Sequence, residues 1–339
     1  MATADRAAHD ARAEEVLLVA ARGGDEQAFA ALTAPYRRAL HVHSYRMLGS
    51  FHDADDALQE TLLRAWRGLD RYEPRASFQA WLYRIATNVS LTAIERRRRL
   101  DTAPSYDDVA PYLQPYPDEL LAELPSPDPG SEAAVEERES VGLAYLTSMQ
   151  LLPPRQRAVL VLRDVLGWSA REVADTLGDS VASVNSALQR ARERLERERA
   201  AGTFSREHVA APRGEEAAVM RRFIEAWERV DVDGIVSLLA GDALLTMPPE
   251  SLTVVGAPDI AEFFRTVPAG GFLDQIRLVP TRANGQPAVA AYLHEADGVF
   301  HAYGVIVFAL DGETITGITG FANASTLVTE FGLPTTLEA

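Results

Sequence analysis

Apolar residues recur every three to four positions through four stretches of the chain, the spacing of a helix with one buried face. Around "DADDALQETLLRAW" they are Leu58, Leu62, Trp66 and Leu69, and Asp53, Asp56, Gln59 and Glu60 lie beside that stripe. In "QAWLYRIATNVSLTAIERRRR" they are Trp81, Leu82, Ile85 and Val89, and Arg96–Arg99 close the segment. "LPPRQRAVLVLRDVLGWS" opens on Pro153-Pro154, which suits a first helical turn, and carries Val159, Leu162 and Val165. In "SAREVADTLGDSVASVNSALQRARERL", Ser169 and Glu172 form a capping box ahead of Val173 and Leu177. Gly178 permits a tight turn there, Ser180 caps a second helix, and Val181, Val184 and Leu188 point inward. The opposite face of that helix carries Ser183, Asn185, Ser186, Gln189, Arg190 and Arg192.

Further along, the period changes. Helical patterns over 216–240 and 257–267 give way to β-rich runs in which Asp297-Gly298 and Asp311-Gly312 mark hairpins. That order predicts an α+β unit, with helices on one face of a curved antiparallel sheet. Between Asp101 and Ser140 stand eleven acidic residues, one arginine (Arg138) and seven prolines. Such a segment buries little apolar surface and reads as a linker. A shorter break falls near Gly202–Gly214. The expected division is 1–100, an acidic linker 101–138, 139–202, a linker 203–214, and 215–332.

Composition narrows the function. With no cysteine, disulfides and thiolate-held zinc are excluded, and no metal or cofactor is expected. No run of about 18 apolar residues predicts a membrane span. The apolar patch Val16–Ala21 follows Glu14 and Glu15, unlike a signal peptide, so a cytoplasmic location is expected. All 33 basic residues are arginine, yet the net charge is −16. The polar face 183–192, with Arg171, has the residue types that bond base edges and phosphates, while the overall field opposes DNA. A three-helix bundle with a solvated arginine face would show the same local pattern. The acidic face 53–60 cannot hold phosphate and suits a basic protein surface. Aromatics beside cations in the next helix suit unstacked bases on a single strand.

Residues 1–200 resemble an extracytoplasmic-function sigma factor of bacterial RNA polymerase. The motifs that carry the resemblance are "DADDALQETLLRAW", "FQAWLYRIATN", "LPPRQRAVLVLRDVLGWSAREVA" and "SVNSALQRARERL", in that order. It implies two all-α sigma domains, a region 2 helical bundle and a region 4 helix-turn-helix. It also implies roles residue by residue. Asp53, Asp56, Gln59 and Glu60 would dock on the clamp helices of the largest polymerase subunit, and region 4 on the flap. Tyr72, Phe78, Trp81, Arg84, Asn88, Arg96 and Arg97 would hold an opened −10 element, the loop Arg71–Phe78 receiving a flipped base. Arg171, Ser183, Asn185, Ser186, Gln189, Arg190 and Arg192 would read the −35 element, although Asn185 stands where the family often has a cation. The acidic linker would thread toward the RNA channel, and its "YLQPYPDELL" looks like the mark of one family branch. The implied partners are core RNA polymerase and promoter DNA, with no membrane.

Residues 215–332 resemble the SnoaL-like (polyketide-cyclase-like) cone, through "MRRFIEAWERVDVDGIVSLLAGDALLTMPP", "APDIAEFF" and the strands ending in "GITGFANAST". A tethered cone faces the sigma domains at about millimolar effective concentration, so an intramolecular contact that modulates them is expected. Isomerase chemistry in such a cone needs a carboxylate base and an acidic donor facing a dry pocket. Asp231, Asp233, Asp242, Tyr292, His294, His301 and Tyr303 are candidates in kind, but Asp231 or Asp233 also suits a helix cap and Asp242 a turn. Met247, Tyr292, His301 and Tyr303 are the candidate pocket residues. The expectation is a non-enzymatic initiation factor. The rival readings are a ligand-sensing DNA-binding regulator that works without core polymerase, and an enzyme with a DNA-binding appendage.

Overall fold

The computed structural model describes residues 2–74, 77–98, 112–122, 124, 140–202, 206–250 and 252–338. The chain opens with five helices: α1 (Ala2–Arg22), α2 (Glu26–Thr33), α3 (Arg37–Leu48), α4 (Phe51–Gly68) and α5 (Phe78–Arg98). Gly49 ends α3 at φ 76°, and Ser50 starts α4 by accepting the Asp53 N–H. Of the predicted stripe, Leu58 on α4 and Leu69 just past its end are buried with Ala65 against Leu40, Phe78 and Leu82, while Leu62 and Trp66 are half-buried at the edge of that cluster.

After the one-turn helix α6 (Asp118–Leu121) come α7 (Leu143–Gln150), α8 (Pro154–Leu160), α9 (Ala170–Leu177) and α10 (Val181–Ala201). Pro154 sits in the first turn of α8, and the Ser169/Glu172 capping box opens α9. Val181 departs from expectation: it is 43% exposed. It lies in the first turn of α10, and the stripe that buries runs Val184, Leu188, Ala191, Leu195.

The two helical units share one apolar core. Val42, Met47 and Leu48 from α3 join Leu146, Leu152, Val159 and Val161 in a single cluster. Buried Arg157 crosses the joint, donating to Met47 O at the end of α3 and to Gln150 O at 2.5 Å. Gln150 returns a bond from Nε2 to Arg46 O at 3.2 Å.

The last unit holds α11 (Arg213–Glu228), α12 (Val232–Val236), α13 (Ala257–Thr266), α14 (Ser325–Glu330) and a seven-stranded sheet. Its strands are β1 (Leu239–Thr246), β2 (Thr253–Val255), β3 (Ile276–Ala283), β4 (Gln286–His294), β5 (Phe300–Asp311), β6 (Thr314–Phe321) and β7 (Thr336–Leu337). The order is β2-β1-β6-β5-β4-β3, with β7 on β5. The sheet is mixed where an antiparallel one was expected, because β1 runs parallel to β6. The chain crosses from one edge to the other through α13, and that connection brings β6 back alongside β1 in the same sense.

Both faces of this sheet are covered. On one, Val289, Ala291 and Ile318 lie under Phe223, Trp227 and Phe264 of the unit's own helices. On the other, Ala288, Ala290, Tyr292, Val305 and Val307 pack with Leu113, Leu143 and Leu151 from outside the unit. A strand buried on both sides reads as an unbroken apolar run, which is what "AVAAYL" in β4 is.

Candidate nucleic-acid and polymerase interfaces

On α4 the acidic face is open to solvent at Asp55, Asp56 and Gln59, with Leu63, 41% exposed, among them. Gln59 Nε2 donates to Asp55 at 2.8 Å and Glu60 pairs with Arg64 at 2.6 Å. Asp53 points elsewhere, into an ion pair with Arg97.

Arg84, Asn88 and Arg96 are exposed on α5, and Trp81 is half-buried. Tyr72 and Phe78 are 6% and 1% exposed, so the expectation that they meet bases is corrected. They brace Trp81 from beneath, with ring centroids 5.0 and 5.6 Å from it. Arg97 is corrected too. It is held by Asp53, donates to Leu48 O at 3.1 Å, and lies over the Tyr112 ring 4.4 Å from its centroid. Within the loop Arg71–Phe78 expected to take a flipped base, Arg75 and Ala76 lie outside the described residues, as does Arg99.

Arg171, Ser183, Asn185, Ser186, Gln189, Arg190 and Arg192 are all exposed on α9 and α10. Gln189 donates to Glu193 at 3.0 Å. Arg192 grips Asp164 with two bonds of 2.9 and 2.7 Å, which holds its guanidinium against the helix joint.

Between these surfaces lies a contact that sequence reasoning missed. Asn284 and Gly285 form the two-residue turn between β3 and β4, at φ 57° and 76°, the left-handed pair that such hairpins require. Hairpin tips ordinarily face water, but Asn284 is 1% exposed. Its Nδ2 donates to Tyr45 Oη at 2.9 Å and to Val141 O at 2.7 Å. Its Oδ1 accepts the Tyr116 N–H at 2.9 Å, and its own N–H donates to Tyr116 O at 2.9 Å. One side chain thus joins α3, the start of the region before α7, the linker and the sheet. The Asn-Gly pair was the available signal.

The described part of the acidic linker belongs to this contact. Gln114 accepts from Ser50 Oγ at 2.9 Å and from the His52 N–H at 3.1 Å, and Tyr45 Oη donates to its carbonyl at 2.7 Å. Tyr116 is fully buried, with His41 Nδ1 2.8 Å from its hydroxyl. Asp118 accepts the Gly285 N–H at 2.7 Å and Arg282 Nε at 3.2 Å. Arg282 reaches on to Glu216 at 2.6 Å, whose other oxygen meets His208 at 2.9 Å. Burial acts to raise the Glu216 carboxyl, but His208 and Arg282 outweigh it and bring it down to about 2. Burial pushes Asp118 up against the pull of the Gly285 N–H and Arg282.

Within the cone, a cavity of about 230 Å³ lies between α13 and the sheet. Trp227, Leu245, Phe263, Phe264, Ile276 and Ile318 are among its walls. Met247 and Tyr303 line it as expected, together with Val267 and Ala269. Tyr292 and His301 do not, and that expectation is corrected. Tyr292 faces the other side of the sheet and donates from Oη to Pro334 O at 2.8 Å; His301 pairs with Asp297 at 2.8 Å at the surface. A bulge interrupts β5 here: Ala291 pairs with Gly304 and Tyr292 with Ala302, leaving Tyr303 as the extra residue, and His301 pairs with Leu293 further along. His301 and Val305 therefore lie on opposite faces, although four positions apart. Asp231 caps α12, Asp233 meets Arg265 at 2.7 Å, and Asp242 lies in β1, where a turn was expected. No carboxylate or histidine lines the cavity among the described residues.

Comparison with known proteins bears on all three units. The Sigma-70 region 2 family matches residues 32–100, Sigma-70 region 4 matches 143–195, and the SnoaL-like domain matches 220–320. The chain is 41% identical over 325 residues to the ECF RNA polymerase sigma factor SigG of Mycobacterium tuberculosis, spanning 93% of this chain and 86% of that one. It is 30% identical over 181 residues to the ECF RNA polymerase sigma factor SigW of Bacillus subtilis, spanning 52% of this chain and 90% of that one. The crystal structure of the Mycobacterium tuberculosis sigma factor SigJ shares the fold, with a TM-score of 0.57 at 22% identity over 88% of this chain and 97% of that one. No helix among the described residues is long and apolar enough to cross a membrane.

Proposed function

This chain belongs to the ECF RNA polymerase sigma factors, which direct promoter-specific initiation by core polymerase, and from that premise we propose how its parts divide the task. Asp55, Asp56, Gln59 and Glu60 on α4 dock on the clamp helices, with Leu63 as the apolar centre of that patch. Arg84, Asn88, Arg96 and Trp81 hold the opened −10 strand. Asn185, Ser186, Gln189 and Arg190 read the −35 duplex. The chain's net charge of −16 supplies little phosphate affinity, so the polymerase contributes the general grip and the sigma helices select. The cone regulates and does not catalyse; the apolar lining of its cavity supports that reading.

The observation that carries the regulatory part is the shared core of the two helical units, latched by Asn284. Elements at −10 and −35 are about 25 base pairs apart, roughly 85 Å along B-DNA. A globule of about 200 residues has a radius of gyration near 16 Å and spans about 45 Å. Readers that share one core cannot reach both elements. The closed form is therefore a resting state, and the joint must open on the polymerase.

Asn284→Gly tests this. Glycine keeps the left-handed turn but removes three side-chain hydrogen bonds, each worth about 1 kcal/mol net, which shifts the open-to-closed ratio by roughly 100-fold. Run-off transcription with purified core polymerase is expected to rise with this variant. Unchanged or lower run-off from a folded variant refutes the resting-state reading.

A further inference from the structure

We propose that the cone cavity binds an uncharged, mostly hydrocarbon molecule of one or two rings, and that its occupancy is felt at the joint between the sigma domains. The cavity half of this proposal rests on the fold alone; the consequence for transcription rests on the sigma-factor reading above.

Size and chemistry fix the ligand class. An apolar cavity of about 150 Å³ holds benzene, so one of about 230 Å³ has room for a second small ring. Trp227, Phe263 and Phe264 supply aromatic walls, and Tyr303 is the polar side chain among the lining residues. With no charged group to answer it, a charged ligand would lose its hydration uncompensated. Met247, Val267, Ala269 and Tyr303 are partly exposed and form the entrance. Met247 rests on Gly320, where an added Cβ would come within 2.6 Å of its sulfur. The missing side chain at 320 leaves the flexible thioether space to swing.

The link outward is short. Tyr303 is the bulged residue of β5, its side chain in the cavity wall. Its carbonyl accepts the Ala324 N–H at 2.9 Å. Ala324 directly precedes α14, whose Leu327 is 1% exposed and belongs to the apolar cluster that joins the two helical units. On the same stretch, Phe321 and Ala322 line the cavity. A molecule that moves Tyr303 or the end of β6 therefore moves the base of the helix that plugs the sigma core. This gives a ligand differential contact with the closed and open forms, which any population shift requires.

The test uses the full chain and 1-aminonaphthalene, an uncharged two-ring fluorophore whose emission shifts to the blue in apolar surroundings. Saturable one-to-one binding near 10 µM is expected for a ligand of this size. Met247→Trp and, independently, Ala291→Leu fill the cavity and should weaken binding at least tenfold while keeping the wild-type circular dichroism. Saturating probe should change amide hydrogen exchange over 143–151 and 283–286 at least threefold. Leu327→Ala should bind the probe with wild-type affinity and lose that change. Non-saturable binding, binding insensitive to both filling variants, or unchanged exchange at saturation overturns the proposal. Run-off without probe reports on the sigma-factor reading separately, so failure of one is distinguishable from failure of the other.

Discussion

Asn284 shows how a single side chain can carry a contact that its local sequence disguises. Asn-Gly between two apolar runs specifies a tight hairpin, and that much was legible; that its amide would meet Tyr45 and Val141, 239 and 143 positions away, was not. Arg97 makes the same point from the other side: an arginine cluster reads as a nucleic-acid surface until Asp53, 44 positions earlier, captures one member. His41 belongs to this scale as well. Burial, with Arg38 nearby, brings its imidazole from 6.5 down to about 4, against the opposite pull of Asp55. A base whose folded value is depressed stabilises the fold fully above the unfolded value and loses that contribution as pH falls from 6.5 toward 4. The loss is on the order of 3 kcal/mol at the low end. His41→Gln should therefore flatten the fall in melting temperature between pH 6.5 and 4, leaving the share due to His43, whose imidazole burial and Arg46 bring down to about 3. A melting curve with the same pH slope as wild type would contradict this assignment.

Among the elements, α4, α9 and α10 were legible because their signals are local: a capping serine, a left-handed glycine, a stripe at helical spacing. The role of the exposed side chains follows from charge. Asp56→Arg reverses the acidic face without touching the core and should weaken capture of core polymerase at least tenfold. Asp53→Ala, which loses an internal ion pair, should leave capture within about threefold. If the two variants behave alike in a pull-down, the polymerase face has been drawn wrongly. Arg190→Ala on α10 should weaken promoter complexes and reduce the salt slope by about one. By contrast, β4 was under-read. Its uninterrupted "AVAAYL" indicates burial on both faces, and the single-sided packing expected from the helix pattern left no partner for the second. The bulge at Tyr303 likewise broke the alternation that would have kept His301 and Val305 on one face.

For the whole molecule, the order of motifs predicts three units and tethering predicts a contact between the cone and the helical units, but not which residues make it. The arrangement depends on pairings between residues more than a hundred positions apart, and those are set by tertiary complementarity, not by periodicity. Leu113, Leu143 and Leu151 cover the outer face of the sheet, so removal of the cone uncovers them. Truncation after Gly202 should accordingly raise hydrogen exchange over 143–151 and alter promoter-dependent transcription. A truncated chain indistinguishable from the full one in both measurements would mean that the cone is a passenger.

On the proposed resting state, the Asn284 turn lies on the same polypeptide as Tyr45, which ties restraint to synthesis. Each ribosome that completes the chain delivers one restrainer with each selector, whatever the expression level. Growth and division dilute both together, so a rise in gene dosage alone does not release the factor, as it would if the restrainer were a separate, titratable protein.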